Sequence, residues 1–417
     1  MSTAMTLYTS NSKTLKATGL RSIQLYALSG MTILALFLGA EFAVRKHSAL
    51  SKPSTDMTVA ELMEALPKMD IAGREIGNQM LMHNVALFSQ TTAPEAVTTG
   101  YVGTSRSKVI RPEHFGLKGA VVGAGNTYNE ITYGLLLQAE ILRLKFPHLK
   151  RVYVETSMLL RRPGRLIVEE DHQKYLPLLR SLSQLCDRPT NVPGCVPVFE
   201  ALNKLPESGN KFLHSELLAQ RSNIRLSSLI TNEKNSIPVL SDPLLAGLSP
   251  NGERKNLSAP LRAKADQTKE ITNENVKVQR LRDISNNAPW DGLFDLFALW
   301  GKKNNIEVIL FQPPVRSDLY TYQLQYGLDG HTADLRRVAE QYDIPFIDLN
   351  SPQQGFMQDW SLFSDEDHME TCVGSGLLTL ALDEGYKEYL KGHNLMPNLK
   401  RAAIEEREKS SLSVCNK

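Results

Sequence analysis

Serine is a weak nucleophile until a base takes its proton. Two short stretches, far apart in the chain, carry the parts of such a pair. The first is GTSR at residues 103–106, where Ser105 stands just past a glycine that ends an apolar run. The second is DEDH at residues 365–368, where Asp365 and His368 are three positions apart. That spacing lets one turn carry an imidazole together with the carboxylate that fixes its tautomer and stabilises the imidazolium formed when it accepts a proton. Asp365 is preferred to Asp367 as that acid, because a residue adjacent to the histidine points its side chain elsewhere. Each stretch also has a plain reading. Ser105 would serve as a helix N-cap, and residues 365–368 as a solvated acidic loop with a surface histidine. Taken together they supply a nucleophile, a base and an orienting acid. Three other features carry less. EEDH at residues 169–172 has no placed partner and reads as a solvated loop, and LRRPGR at residues 160–165 reads as a basic turn. Trp290 and Trp300 share a helical stripe that suits a core.

These groups need a frame that brings them together, and the hydrophobic pattern predicts one. Short β-branched runs at residues 97–103, 119–125, 151–155, 306–314 and 344–349 read as buried strands. Between and after them, residues 129–146, 290–303, 334–342 and 374–390 read as helices. Apolar strands alternating with helices predict an α/β fold: a three-layer α/β/α sandwich around a parallel, doubly wound sheet. In such sheets chemistry sits at the carboxyl ends of the strands. A serine after the first strand and a histidine after the last then converge. Residues 181–287 break the alternation. They are rich in Ser, Asn, Pro and charge, and read as an insertion that would act as a lid.

The chain resembles the SGNH (GDSL-type) hydrolase superfamily, in which a glycine-x-serine follows the first strand and Asp-x-x-His lies near the C-terminus. The stretches that carry the resemblance are YVGTSRSKVIRPEHF, VVGAGNTYNEITYGLLL, HLKRVYVETSML, IEVILFQPPVRSDL, IPFIDL and FSDEDHMETCVGSG. It is closer to the membrane-anchored branch, which includes the teichoic-acid D-alanyl transfer protein and the alginate and peptidoglycan O-acetylation proteins. The resemblance implies Ser105 as nucleophile, His368 as general base and Asp365 as its acid. It also implies oxyanion donors from a glycine N–H and an asparagine side chain. Gly123 or Gly125 matches the glycine, and Asn126 stands in for the asparagine, since no Gly-x-Asn-Asp follows the third strand. The Ser105 N–H is a further donor. Arg106 is a candidate for an anionic substrate group, though pairing with a surface acid is the favoured reading, and Trp360 is a candidate for stacking on a sugar. No metal and no organic cofactor is implied. The implied partners are a polysaccharide acceptor and a multi-spanning membrane-bound O-acyltransferase that supplies acyl groups.

Composition sets the bounds. With 42% hydrophobic and 22% charged residues a core is affordable, and wholesale disorder is excluded. A net charge of +2 without a basic, aromatic-laced stripe excludes nucleic acid as an expected partner. Residues 23–44 are apolar for about 20 positions, enough to cross a hydrocarbon core of roughly 30 Å. Lys13, Lys16 and Arg21 precede them, which favours a cytoplasmic residue 1–22 segment. A single-pass anchor in the cytoplasmic (inner) membrane is expected, with the remainder on the periplasmic or extracellular side; a cleaved signal peptide is the rival reading. Residues 45–95 read as a stalk, residues 96–180 and 288–392 as the catalytic domain, and residues 393–417 as a charged, peripheral tail. In an oxidising compartment Cys186 and Cys195 would close a short loop rather than remain two thiols, and Cys372 and Cys415 would form a second pair. The expected activity is acyl, specifically acetyl, transfer to an envelope or extracellular polysaccharide. The alternatives are an esterase with the same residues and an inactive polysaccharide-binding subunit.

Overall fold

The apolar runs do pair into one sheet. In the computed structural model, β1 (Thr99–Val102), β2 (Ala120–Val122), β3 (Arg151–Glu155), β4 (Glu307–Gln312) and β5 (Phe346–Asp348) are all parallel, in the order β2-β1-β3-β4-β5. The structure describes residues 93–123, 131–161, 269–287, 292–392 and 397–410, with residues 29–32, 59–60, 63, 84, 87–88, 91, 183–184, 186, 195–196, 198, 248–249 and 251–253. The chain forms two units, Met1–Lys52 with Arg225–Glu233, and Pro53–Ile224 with Lys234–Lys417. The sheet and its helices belong to the second.

Strands buried on both faces need no polar alternation, and the central ones have none: every residue of β3 and β4 after the first is buried. The register sets Thr99 beside both Ala120 and Arg151, Arg151 beside Glu307, and Leu310 beside Phe346. Alternate residues face opposite layers. Tyr101, Tyr153, Ile309, Phe311 and Ile347 share a cluster with Leu378, Leu382 and Tyr386 of α6 (Val373–Leu390), and with Leu399 and Ala403 of α7 (Leu399–Ser410). Gly385 lets α6 lie close on the sheet, since a Cβ there would sit 2.9 Å from Ile347. On the other face, α1 (Ile131–Lys145) crowds Gly100 with Leu142, and α3 (Leu293–Asn304) brings Gly301 against Val308. Side chains such as Phe311 and Leu382 each contribute about 1.5–3 kcal/mol by leaving water. Helices on both faces of a parallel sheet are consistent with the expected sandwich.

Several elements differ from their sequence readings. The helix expected over residues 334–342 is α5 (Leu328–Tyr342), which starts behind Gly327 at φ 103°. Gly330 within it lowers helix propensity and hides the first turn. An unexpected helix, α4 (Ser317–Gln325), has Tyr320, Thr321 and Tyr322 in succession at its middle, residues that lose side-chain freedom in a helix. The charged tail contains α7, whose Leu399 and Ala403 are fully buried, so this part of it is docked rather than peripheral. Within the segment read as an insertion, α2 (Val276–Asn287) packs Leu281 and Ile284 against Met158, Leu159 and Leu319. Asn251 accepts from the N–H of Val122 at 2.8 Å and so lies along the β2 edge. Ahead of the sheet, Phe88 packs edge-on against Phe146 at 5.3 Å.

Cys186 and Cys195 are joined in a disulfide, with Cα atoms 6.0 Å apart. Cys372 is disulfide-bonded too. Among the described residues no helix is long and apolar enough to cross a membrane. The expected anchor at residues 23–44 lies outside the described residues, apart from residues 29–32, which are helical and exposed.

Candidate active site

The strand order changes direction around β1: β2 lies on one side of it, β3 on the other. Carboxyl ends of strands at such a point open a crevice, and Ser105 stands there, three residues past β1. The turn that carries it is fixed from two sides. Glu155, at the end of β3, accepts from the N–H and the hydroxyl of Thr104, both at 2.7 Å. Gln138 of α1 accepts from the Gly103 N–H at 3.3 Å and donates to its carbonyl at 3.1 Å. Gly103 is required by close approach: a Cβ there would meet the Ser107 hydroxyl and lie 2.5 Å from a Glu155 oxygen. Ser105 is not a helix cap. Only a short 3-10 turn, Ser107–Val109, follows, and its N-cap is Arg106.

The serine hydroxyl instead meets the imidazole. Ser105 Oγ is 2.7 Å from His368 Nε2. On the other side of the ring, Nδ1 lies 2.9 Å from Asp365 Oδ1 and 3.0 Å from Oδ2. Asp365 Oδ1 also accepts from the backbone N–H groups of Asp367 and His368, both at 3.0 Å, which locks the carboxylate in the loop. The loop is closed by a bridge between Phe363 and Met369 and by the Ser364 N–H donating to the His368 carbonyl at 2.9 Å. This tight loop curls Asp367 inward as well. Its Oδ1 is 2.9 Å from His368 Nδ1, an ion contact beside the hydrogen bond that Asp365 makes.

Two cations balance this acidic loop. Lys277 of α2 reaches Asp365 Oδ1 at 3.1 Å and Glu366 Oε1 at 3.2 Å, and also contacts Asp367. Arg106 pairs with Asp367 and, at 3.6 Å, with Glu155. Burial opposes the charge on Asp367, but Arg106, His368 and Lys277 hold its carboxyl well below the usual range. Asp365 is also lowered, again against burial, by its bond to His368 and the nearby cations. Burial likewise opposes a charged imidazole. Asp367 and Asp365 outweigh it and push His368 up to about 9. The ligand atoms of Asp365, Asp367 and His368 lie within 4.8 Å of one another, a spacing that suits a metal ion. Here the Lys277 ammonium already sits on both carboxylates, and a divalent ion would meet its repulsion. The donor set therefore fits a charge-balanced triad better than a metal centre.

Ser105, His368 and Asp365 are thus brought together. Arg106, a candidate for substrate, is 5% exposed and bonded to Asp367 and Glu155, so it braces the site from beneath. Trp360 is held by its own contacts, its ring 4.0 Å from the Arg316 guanidinium and its N–H donating to Ser317 at 2.9 Å. One face of the indole is thereby covered. The Gly123 N–H donates to the Tyr101 carbonyl at 2.9 Å, which removes it as an oxyanion donor; its missing Cβ makes room for Gln138. Gly125 and Asn126 lie outside the described residues. After β3, Thr156 donates to the Phe311 carbonyl from both its N–H and its hydroxyl, so it supplies no donor there. Among the described residues no acceptor meets the Ser105 N–H.

Compared with models of known families and with curated proteins, the chain matches none. What can be said of its chemistry therefore rests on the geometry. Sequence reasoning sets Asp367 aside in favour of Asp365 and misses Lys277, Glu155 and Gln138. Asp367 and Glu155 carried a signal, one being an acid beside the base and the other an acid at a buried strand end. Lys277 and Gln138 carried none.

Proposed function

We propose that this chain is a serine-dependent acyl-transfer enzyme with an SGNH-like catalytic domain, in which Ser105, His368 and Asp365 act as nucleophile, general base and orienting acid. The observation that carries this reading is the unbroken relay from Ser105 Oγ to His368 Nε2 at 2.7 Å and from Nδ1 to Asp365 at 2.9 Å. In the neutral base the Nδ1 proton is donated to Asp365, which leaves the Nε2 lone pair facing the serine hydroxyl. Ser105 Oγ attacks the acyl carbonyl and its proton passes to Nε2. The oxyanion that forms meets the Ser105 N–H, a donor already in place. Collapse expels the donor's oxygen, which takes the proton from Nε2 and leaves an acyl-serine. An acceptor hydroxyl then gives its proton to Nε2 and attacks the acyl-serine carbonyl. The second tetrahedral intermediate collapses by breaking the acyl–Oγ bond, Ser105 Oγ takes the proton back from Nε2, and the new ester departs. No step needs a metal or an organic cofactor.

The proposed acyl group is acetyl and the proposed acceptor a hydroxyl of an envelope or extracellular polysaccharide. Resemblance to the membrane-anchored branch supports both, together with the apolar residues 23–44. On this reading the chain is held in the cytoplasmic membrane by that segment, with its catalytic domain on the outer side, and receives acyl groups from a membrane-bound O-acyltransferase. The disulfide-bonded Cys186, Cys195 and Cys372 suit an oxidising compartment. Water as the acceptor would make the same site an esterase.

The test is turnover of p-nitrophenyl acetate by the full chain in detergent, with and without an oligosaccharide acceptor, beside Ser105→Ala. Serine-dependent release with an acetylated oligosaccharide supports transfer. Serine-dependent release without it makes the chain an esterase. Equal rates from wild type and Ser105→Ala would overturn the triad.

A further inference from the structure

The segment ahead of α2 touches the rest of the molecule in an unusual way. Its contacts along residues 269–277 include a run of polar ones, first to the start of α4 and then, at Asn275 and Lys277, to the loop that bears the base. The Lys269 carbonyl accepts from Arg316 at 2.8 Å, and the Ile271 N–H donates to Asp318 at 3.0 Å. The Asn275 amide donates to Glu366 at 3.1 Å, and the Asn275 oxygen accepts from the Lys277 N–H at 2.8 Å. Lys277 itself is 3% exposed and reaches all three acids of the loop, Asp365, Glu366 and Asp367. Two carboxylates that both approach one imidazole nitrogen repel each other, and a buried pair of like charges takes up a proton or separates unless a cation lies between them.

We propose that Lys277 is a positioning residue of the general base: its ammonium holds Asp365 and Asp367 together, ionised, on the Nδ1 side of His368, so that docking of residues 269–277 completes the active site. This rests on the triad reading above. Among the described residues, the charged groups around His368 are Asp365 and Asp367, which contact its ring, Lys277 of α2 and Arg106 of the turn after β1, which contact those acids, and Glu366 and Glu155 behind the two cations. Arg106 pairs with the other oxygen of Asp367, Oδ2, and with Glu155 behind it. Lys277 contacts both carboxylates. Without it, one carboxylate of the pair must be protonated or turn away, and the imidazole loses its fixed tautomer. Activity then requires two protons to be lost, one from the carboxylate pair and one from His368, where the intact site requires one.

The experiment uses the full chain and compares wild type, Ser105→Ala, Lys277→Met, and Lys277→Met combined with Asp367→Asn. The Met side chain keeps the buried stem and removes only the charge. With p-nitrophenyl acetate, Lys277→Met is expected to lower kcat about 10- to 100-fold, by analogy with removal of the outer partner of a metal-bound histidine, with KM little changed. Its acid limb of log kcat/KM against pH is expected to steepen from a slope of about one toward two. The double variant restores charge balance, so it is expected to fold as wild type does and to recover most of the lost kcat, with a slope of about one again. Ser105-dependent turnover in wild type with an unchanged kcat and slope in Lys277→Met would overturn this proposal and leave the triad standing. If wild type itself shows no Ser105-dependent turnover, the triad reading fails first. Should Lys277→Met not fold, the double variant decides: a folded double variant with wild-type-like kcat and slope supports the charge balance, and an inactive one refutes it.

Discussion

At the scale of single residues, the charge around His368 governs when the site can work. A general base must be neutral, and His368 is pushed up to about 9 by Asp367 and Asp365 against burial. Activity should therefore climb with pH and approach its plateau above about 9, with a rate at pH 7 near one hundredth of that plateau. Asp367→Asn removes the largest charge that raises the histidine, so the limb should move toward acid and the rate at pH 7 should rise relative to the plateau. A pH–rate profile of the two proteins checks both statements. Stability follows the opposite sense. A histidine whose folded value lies above its unfolded one, about 6.5, contributes stability that is complete below that value and lost as pH rises through about 9. Asp365 and Asp367, held low, contribute stability that is present above about pH 4 and lost as pH falls through their folded values. Urea midpoints should then be highest between these limits and decline on either side. The triad was legible because its members announce themselves locally, Ser105 after a strand and Asp365 three before His368. Asp367 was misjudged because the rule that neighbours diverge describes extended chain. In the tight loop closed between Phe363 and Met369 the chain is not extended, and adjacent residues 367 and 368 bring their side chains together, with Asp367 Oδ1 2.9 Å from His368 Nδ1. Lys277 was invisible, since nothing in VKVQ distinguishes a buried lysine from a solvated one.

At the scale of elements, the turn after β1 has no slack. Glu155 and Gln138 hold Gly103 and Thr104 from two directions, and a methyl group at Gly103 would collide with Ser107 and with Glu155, whose Cβ would be 2.8 Å away. Gly103→Ala should cost about 1–3 kcal/mol in unfolding free energy. It should also lower kcat more than it raises KM, because it displaces the nucleophile from the base. Glu155→Gln separates the two roles of that carboxylate. It retains one acceptor for the Thr104 N–H but loses the charge beside Arg106, so its effect on kcat should be smaller than that of Glu155→Ala. Strands were read well because a parallel, two-sided sheet writes itself as unbroken apolar runs. Helices were read less well where packing outweighs propensity. α4 and α7 hold their places through buried partners such as Leu319, Leu399 and Ala403, which a local pattern does not show.

At the scale of the whole molecule, the site is assembled from four distant stretches: the turn at Ser105, the end of β3 at Glu155, α2 at Lys277 and the loop at residues 365–368. A loop closed by the Cys186–Cys195 bond, nine residues apart, contributes about 2–3 kcal/mol in the chain-entropy account. Loss of this bond should lower the midpoint of thermal unfolding by several degrees in proportion, and a melt of the Cys186→Ser, Cys195→Ser double variant beside wild type, which leaves the bond at Cys372 intact, reads it directly. The division into catalytic domain and insertion was the part least visible in sequence. Residues 269–287 look like loop by composition, yet they dock on the catalytic loop and the Met158–Leu160 turn through contacts that only the fold brings together.

The order of the strands has a consequence for how the protein would fail when warmed. The nucleophile rides on β1, flanked by β2 and β3. The base follows β5, which is the rim of the sheet and pairs only through Leu310, Phe311 and Gln312 of β4. Rims open before interiors. A brief parting of β5 and the loop after it would carry His368 away from Ser105 while β1, β3 and β4 stayed zipped. Catalysis should then fade at temperatures where the amide I band of the sheet is still intact, and return on cooling.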